Sequence, residues 1–246
     1  MKAVKKSFPA RGSSRYVCPS QDSAFVEQEM LVLYSGGSEN DAVTESFLRD
    51  TGKNIRITYI PSEAAASRPW FQDFRKEHRR FGIKKVLWFA VDEPFARSAQ
   101  KDALRSEVIF LSGGNTFYFL KQLRKAGMVT LLRDFVRKGG VLTGLSAGSI
   151  IMTPSIELAG LVKGEADLNE AELRNLKGLC LTPFEVYPHY TSSRRSVAVL
   201  KRRSRTAREP IYTIQDGSGI IVRDTSVEFT GTITCWWRGT EAPVSG

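Results

Sequence analysis

The sequence predicts an α/β domain in which a mostly parallel β-sheet has helices on both faces. The first observation is that short apolar runs alternate with helix-length segments over most of the chain, as expected when strands are buried on both faces. The second is the length of 246 residues, which is enough for one sizeable α/β domain. The third is the composition, because 41% apolar and 25% charged residues are ordinary for a soluble globular protein.

Five strands are predicted in the first part of the chain, each as a short apolar run that a turn or a helix adjoins. They are Met30–Tyr34, Ile55–Ile60, Lys84–Val91, Glu107–Leu111 and Val141–Leu145. The helices predicted between and after them have charged or amphipathic character, and Gly139-Gly140 ends the one before the fifth strand. They run from about Asp41 to Arg49, from Pro69 to Arg80, from Phe117 to Ala126 with Thr116 as a cap, from about Val129 to Arg137, and from Ala147 to Met152.

The alternation of strand-like and helix-like segments is less clear in the second part of the chain. Cys180–Tyr187 is predicted as a strand and Ser193–Arg203 as a basic helix. Four short strands at hairpin spacing follow. They are Pro210–Ile214, Gly219–Val222, Val227–Phe229 and Thr232–Trp236.

Residues 1–29 are polar and basic and contain no acidic residue before Asp22. They lack the apolar segment of a secretory signal, and no Arg-lined amphipathic helix of the kind found in organellar transit peptides is evident. We therefore predict a disordered extension at 1–29 and a folded domain at 30–246.

The formal net charge of +10 could indicate an anionic partner. The excess is concentrated in the first 15 residues and between Arg194 and Arg208. Neither cluster carries a stacking-aromatic pattern or a nucleic-acid-binding motif, so a solvated basic surface is the preferred interpretation and nucleic acid is not expected as a partner.

No apolar run approaches the roughly 20 residues that cross a bilayer, so no membrane partner is expected. The three cysteines are far apart and the chain has only two histidines, which predicts a reducing, cytoplasmic compartment and neither a metal nor a cofactor. The sequence leaves open whether the chain is a monomer or a homodimer.

The strongest chemical signal is Gly144-Leu145-Ser146-Ala147-Gly148. This is a nucleophile-elbow pattern, G-x-S-x-G, between a predicted strand and a predicted helix. The turn would expose the Ser146 hydroxyl at the carboxyl edge of the sheet, and the Ala147 N–H could face a developing oxyanion. The alternative is a tight turn with an incidental serine, which this structural context makes the weaker interpretation.

A serine nucleophile needs a base, and His189 is the better candidate because it follows an apolar strand. His78 lies in a charged helical stretch and is interpreted as a solvated surface residue. The acid that orients the base is either Asp216, at a strand end before a glycine, or Asp167, between the serine and the histidine. Asp216 is modestly preferred because a strand end would hold it rigidly.

A second glycine-rich turn, Ser112-Gly113-Gly114-Asn115-Thr116, also follows a predicted strand. Glycine allows close approach of the backbone to a ligand, so its N–H groups could complete an oxyanion hole with Ala147. The turn matches neither of the glycine-rich nucleotide-binding patterns, which argues against a phosphate-binding loop.

These segments together resemble the peptidase E family of α-aspartyl dipeptidases, which is related to the cyanophycinases. The resemblance covers roughly Met30 to Val222 and rests on five segments in order. They are Ser35-Gly36-Gly37, Gly113-Gly114-Asn115-Thr116-Phe117, the elbow, Pro188-His189-Tyr190 and Asp216-Gly217.

The resemblance implies a class I glutamine amidotransferase-like fold with serine in place of the usual cysteine. It implies hydrolysis of small peptides with an N-terminal aspartate by Ser146, His189 and Asp216, with Gly114 and Ala147 holding the oxyanion. Arg194 or Arg195 could bind the acidic side chain, although both could also be solvated helix arginines. The alternatives are a hydrolase of other acidic or β-linked peptides, and a non-catalytic domain of the same fold that binds a small ligand or an anionic polymer.

Overall fold

The computed structural model of the protein describes residues 29–36, 41–52, 54–162, 164–224 and 226–244. Apart from Glu29, the predicted extension at 1–29 lies outside the described residues. The described chain forms two β-sheets and seven α-helices. The strands are β1 Met30–Tyr34, β2 Arg56–Ile60, β3 Lys85–Trp88, β4 Val108–Leu111, β5 Val141–Leu145, β6 Glu185–Tyr187, β7 Ile211–Ile214, β8 Gly219–Arg223, β9 Ser226–Thr230, β10 Ile233–Trp237 and β11 Thr240–Val244. The helices are α1 Asp41–Thr51, α2 Ala64–Arg80, α3 Arg97–Ala103, α4 Thr116–Lys125, α5 Met128–Arg137, α6 Ala147–Met152 and α7 Arg194–Thr206.

The main sheet has seven strands in the order β3-β2-β4-β5-β1-β8-β9. The first five run parallel to one another, and β8 and β9 complete the sheet with antiparallel pairing. Its interior strand β1 is buried on both faces: Leu31 and Leu33 pack in one apolar cluster, and Met30, Val32 and Tyr34 pack in another. Alternate side chains of a strand point to opposite faces, so the predicted arrangement of a mostly parallel sheet covered on both sides is confirmed.

A second, four-stranded sheet has the order β11-β10-β7-β6. One of its faces packs through Phe184, Val186 and Ile214 on the main core, and the other packs on α7 through a cluster that includes Leu200 and Trp236. The sequence did not predict this sheet, because β7 pairs with β6 and with β10, which are distant from it in the chain, and such pairing leaves no local pattern.

Several predicted boundaries are wrong for identifiable reasons. The strand predicted at Cys180–Tyr187 is formed only by Glu185–Tyr187, because Pro183 interrupts it and residues 178–181 bond instead to the backbone of residues 151–154. Helix α2 begins at Ala64, so Pro69 lies inside the helix. Asn115, not Thr116, caps α4, and its side chain accepts the Tyr118 N–H.

Candidate functional site

The site lies where the carboxyl ends of strands from the two sheets meet. Ser146 follows β5 of the main sheet, His189 follows β6 and Asp216 follows β7 of the second sheet. Because β6 and β7 are parallel neighbours, their carboxyl ends deliver the histidine and the aspartate side by side. The elements thus bring together three residues that are 43 and 27 positions apart in sequence.

Ser146 occupies a strained turn between β5 and α6. Its φ of 52° and ψ of −109° lie in a region that side-chain-bearing residues seldom adopt, which is typical of functional sites. The flanking glycines permit this turn: a Cβ at Gly144 would lie 2.5 Å from the carbonyl carbon of Gly148, and a Cβ at Gly148 would collide with the carbonyl oxygen of Leu111. Sequence and backbone agree on a nucleophile-elbow geometry.

A hydrogen-bonded chain connects the three side chains. Ser146 Oγ lies 2.8 Å from His189 Nε2, and His189 Nδ1 lies 2.8 Å from Asp216 Oδ1. An ionised carboxylate only accepts, so Nδ1 is the donor to Asp216, and in the tautomer that carries its single proton on Nδ1 the ring can accept the serine hydroxyl through Nε2. In this tautomer His189 can take a proton from Ser146, which is the arrangement that activates a serine.

Asp216 is held as an anion by several donors. Its Oδ1 accepts bonds from the Ser35 hydroxyl at 2.9 Å, from the Gly36 N–H at 2.8 Å and from His189 Nδ1. Burial alone would raise the pKa of the Asp216 carboxyl, but the bonds from Ser35 and Gly36 and the proximity of His189 together lower it below its ordinary value. The carboxylate is therefore ionised at neutral pH.

Ser35 was not predicted as a site residue, although its segment was noted. Its hydroxyl donates to Asp216 Oδ1 and accepts the His189 N–H at 2.8 Å, so it connects the Asp216 carboxylate to the backbone of His189. The sequence shows only that Ser35 directly follows a predicted strand, whereas its partners His189 and Asp216 follow strands of the second sheet.

Gly36 packs directly against the imidazole. A Cβ at this position would lie 2.5 Å from His189 Cε1 and 2.9 Å from Asp216 Oδ1. Real Cβ atoms do not make such contacts, so a larger residue at 36 would displace the ring or the carboxylate.

Asp167, the other candidate acid, serves a different part of the structure. Its Oδ2 accepts the Thr116 N–H at 2.8 Å, which places a carboxylate at the N-terminus of α4, where it is electrostatically favoured. Among the described residues, the carboxylate that accepts from the His189 ring is Asp216.

His78 is buried, so its interpretation as a solvated surface residue is wrong. It is 8% exposed, its ring stacks on Phe74 with centroids 3.8 Å apart, and Nδ1 lies 2.9 Å from the Phe74 carbonyl oxygen. Burial lowers the pKa of His78 to about 4. The charged residues around it occupy exposed positions of α2. The sequence pattern alone did not distinguish this exposed face of the helix from its buried face.

Two backbone segments border Ser146 where an oxyanion would form. Ala147 is the first residue of α6, and the helix's Ile150 N–H bonds to the Ser146 carbonyl oxygen, so the earlier N–H groups have no partner within the helix. The turn after β4 lies alongside, because a Cβ at Gly113 would be 3.4 Å from Ser146 Cβ. Gly114, with a φ of +137°, follows in the same turn.

Arg194 and Arg195 form the start of α7, five and six residues after His189, and both are exposed. Ser193 caps this helix and also donates to Glu165 at 3.2 Å. Cations in the first turn of a helix are electrostatically unfavourable, so neither guanidinium stabilises α7 through the helix dipole.

Other features lie away from this site. A cavity of about 650 Å³ is lined by Met30, Glu107 and Val141 among others, at the opposite, amino edge of the main sheet.

Within the described ranges, no three His, Cys, Asp or Glu side chains are grouped closely enough to hold a metal ion. None of the helices in the described part of the chain has the length and apolar character needed to cross a membrane.

Comparison with known proteins adds independent findings. The sequence profile described as peptidase family S51 matches residues 31–230. An uncharacterized peptidase of Pasteurella multocida is 38% identical over 89 residues, which are 36% of this chain and 42% of the relative. Peptidase E of Escherichia coli is 31% identical over 88 residues, 36% of each chain. The matches therefore span about two fifths of the length of these relatives.

Two solved structures share the fold at low identity. A protein from Listeria monocytogenes, provisionally assigned to peptidase E, superposes with a TM-score of 0.66 and 20% identity, covering 89% of this chain and 100% of its own. A peptidase from an acI-B1 actinobacterium gives a TM-score of 0.64 and 16% identity, covering 88% and 94%. These neighbours confirm the predicted class I glutamine amidotransferase-like fold.

Proposed function

Because the chain belongs to peptidase family S51, we propose that it is a serine peptidase whose nucleophile is Ser146, whose base is His189 and whose orienting acid is Asp216. The observation that carries the proposal is the unbroken chain from Ser146 Oγ through the imidazole to Asp216 Oδ1, with 2.8 Å at each step. The strained backbone at Ser146 supports it further.

In the proposed mechanism, Ser146 Oγ attacks the peptide carbonyl while its proton moves to His189 Nε2. The imidazolium is stabilised by Asp216, which already accepts the Nδ1 proton. The tetrahedral oxyanion is held by the N–H groups of Gly114 and Ala147. The leaving amine takes the proton from Nε2, and a water activated by the same ring then hydrolyses the acyl-enzyme.

The proposed substrates are short peptides, in particular dipeptides with an N-terminal aspartate. Such a substrate needs a cationic group for its side-chain carboxylate. Arg194 and Arg195, exposed at the start of α7, are the candidates close in sequence to His189. A charge-assisted hydrogen bond contributes about 1.5–3 kcal/mol, so Arg194→Gln or Arg195→Gln should raise KM for Asp-X by about 10- to 100-fold and leave Asn-X unaffected.

The test is a dipeptide library assayed with the wild type and Ser146→Ala. It should contain Asp-X, Asn-X, Glu-X and β-linked Asp-X members. We expect Asp-X to be cleaved by the wild type alone. Turnover of only β-linked or other acidic peptides would change the assigned substrate class but leave the mechanism in place. Equal turnover by Ser146→Ala would exclude the mechanism.

A binding module is the alternative function, favoured by the row of exposed cations on α7. A wild type that cleaves no library member but is retained by an anionic polymer at low salt would establish it instead.

A further inference from the structure

We propose that Ser62 is a positioning residue for the oxyanion hole, which fixes the Gly113–Gly114 peptide so that its N–H faces Ser146. This inference rests on the proposed function and names a residue that the mechanism above does not use. Ser62 does not reach the hydroxyl of Ser146; it acts through the backbone of the glycine turn.

The geometry begins with two neighbouring parallel strands. β2 and β4 end side by side, with Ile60 paired to Leu111. Beyond their ends, Ser112 N–H donates to the Ile60 carbonyl oxygen at 3.0 Å, and Ser62 N–H donates to Ser112 Oγ at 2.7 Å. Ser62 and Ser112 are only 4% and 2% exposed, so both hydroxyls are held in a tightly packed place.

Both hydroxyls converge on one carbonyl group. Ser62 Oγ donates to the Gly113 carbonyl oxygen at 2.6 Å, and Ser112 Oγ donates to the same oxygen at 3.0 Å. A carbonyl oxygen has two lone pairs, so the pair of donors occupies both. The Gly113 carbonyl is thereby fixed on the side of β2.

The orientation of the carbonyl determines that of the next N–H. The peptide unit is planar and trans, so the Gly114 N–H points away from the carbonyl of Gly113. Ser62 therefore holds that N–H on the side opposite to itself. The same side chain requires glycine at 114, since a Cβ there would collide with Ser62 Oγ.

Such a restraint is needed because a peptide between two glycines is conformationally permissive. The turn lies against the nucleophile: a Cβ at Gly113 would be 3.4 Å from Ser146 Cβ. If the peptide rotated, a carbonyl oxygen with partial negative charge would replace the N–H beside the developing oxyanion. Two serine hydroxyls on the far side of the turn oppose that rotation.

The expected effect is on the transition state. Loss of a whole oxyanion donor lowers kcat by about 10²–10³-fold. Ser62→Ala removes one of two restraints, so we expect kcat to fall about 10-fold with KM changed less than about twofold. Ser62→Ala/Ser112→Ala removes both and should lower kcat by about 10²-fold. Affinity for a peptide boronic acid, which forms a tetrahedral adduct with a catalytic serine, should fall in parallel.

The matched control is Ser204→Ala. Ser204 is also fully buried, donates to the Lys201 carbonyl oxygen at 3.2 Å and accepts the Gly239 N–H at 3.2 Å, but it lies on α7 beside the second sheet. The Ser204→Ala variant should lose about as much stability as Ser62→Ala, without a change in kcat. Ser62→Cys, whose thiol is somewhat larger than the hydroxyl and a much weaker donor, provides a second variant if Ser62→Ala does not fold.

The outcomes separate this inference from the proposed function. A wild type that neither cleaves peptides nor binds the boronic acid contradicts the proposed function itself. An active wild type with unchanged kcat in the folded Ser62 variants, or with KM raised and kcat kept, overturns the role of Ser62 alone. A fall in kcat and boronic acid affinity that Ser204→Ala does not share supports it.

Discussion

The two histidines of the chain lie in opposite environments. His78 is 8% exposed against Phe74 on α2, and burial lowers its pKa to about 4. The side chain of His189 is 51% exposed at the edge of the sheets, yet both ring nitrogens have side-chain partners.

A strongly shifted pKa often marks a functional site, but the lowered pKa of His78 results from burial in the packing of α2. His78 meets a backbone carbonyl and an aromatic ring, and neither can pass a proton to a substrate. His189 lies between an acceptor and a hydroxyl. The comparison teaches that hydrogen-bond geometry distinguishes the candidate base from the structural histidine, and substitutions at the two positions test that difference.

The largest difference in kcat should be between variants in which one or the other histidine is replaced. His189→Ala should lower kcat for peptide hydrolysis by about 10⁴- to 10⁶-fold, because Ser146 loses its base. His78→Phe, which keeps a ring against Phe74, should leave kcat within about threefold, because no hydrogen bond of His78 enters the site. Steady-state kinetics on one substrate decides the matter; comparable losses in both variants would erase the distinction.

Substitutions of the two candidate acids should differ in their effect on kcat by a somewhat smaller factor. Asp216→Asn should reduce kcat by about 10³- to 10⁴-fold, because an amide can stabilise the wrong tautomer of His189. Asp167→Asn keeps an acceptor oxygen for the Thr116 N–H and should alter kcat only a few-fold. If Asp167→Asn were the more damaging change in the same assay, the assignment of Asp216 as the acid would have to be reversed.

A smaller loss is expected from a methyl group placed against the ring. Gly36→Ala would bring Cβ to 2.5 Å from His189 Cε1, and a misplacement of about 1 Å can cost about 10²-fold in kcat. Gly127→Ala is the control, because nothing lies within 4 Å of a Cβ there although φ is +67°; it should cost about 1–2 kcal/mol of stability and no activity. Equal activity of both variants would show that the packing at Gly36 does not position the base.

The smallest effect on activity, and a clear one on stability, should come from the pH dependence of His78. Its folded pKa of about 4 lies below the ordinary 6.5, so the unfolded chain binds a proton that the folded chain refuses between these values. Stability is therefore lost as pH falls from about 6.5 to 4, by about 3 kcal/mol in full.

Urea unfolding of the wild type and His78→Phe at pH 7 and pH 4 should reveal this loss in the wild type alone. Burial raises the pKa of Glu185 to about 7 and acts in the opposite sense, but it is common to both proteins and cancels in their difference. A pH-independent difference between the two proteins would mean that His78 is protonated equally in the folded and unfolded states.

Local patterns predicted much of the fold. The bounds of β1 and β5 agree to the residue, because each is an apolar run with a serine at its end. Helix α3 was missed, since Arg97–Ala103 is polar apart from small residues. The polar, proline-containing β11 was missed for a similar reason.

The candidate site residues differ in how far the sequence alone could predict them. The elbow pattern pointed to Ser146, and the scarcity of histidines pointed to His189. The choice between Asp216 and Asp167 depends on which strand end lies beside the ring, and this follows from the pairing of β6 with β7, which has no local signature. The hydrogen bonds of Ser35 and Ser62 depend on which strands are neighbours in the main sheet and could not be predicted from their own segments.

The most direct test of the central claim is the reaction of the protein with a fluorophosphonate, followed by mass spectrometry of its peptides. We predict one adduct, on Ser146, that forms about 10⁴-fold more slowly in His189→Ala and at the wild-type rate in His78→Phe. An adduct on a different serine, or labelling of Ser146 that is equally fast without His189, would contradict the account.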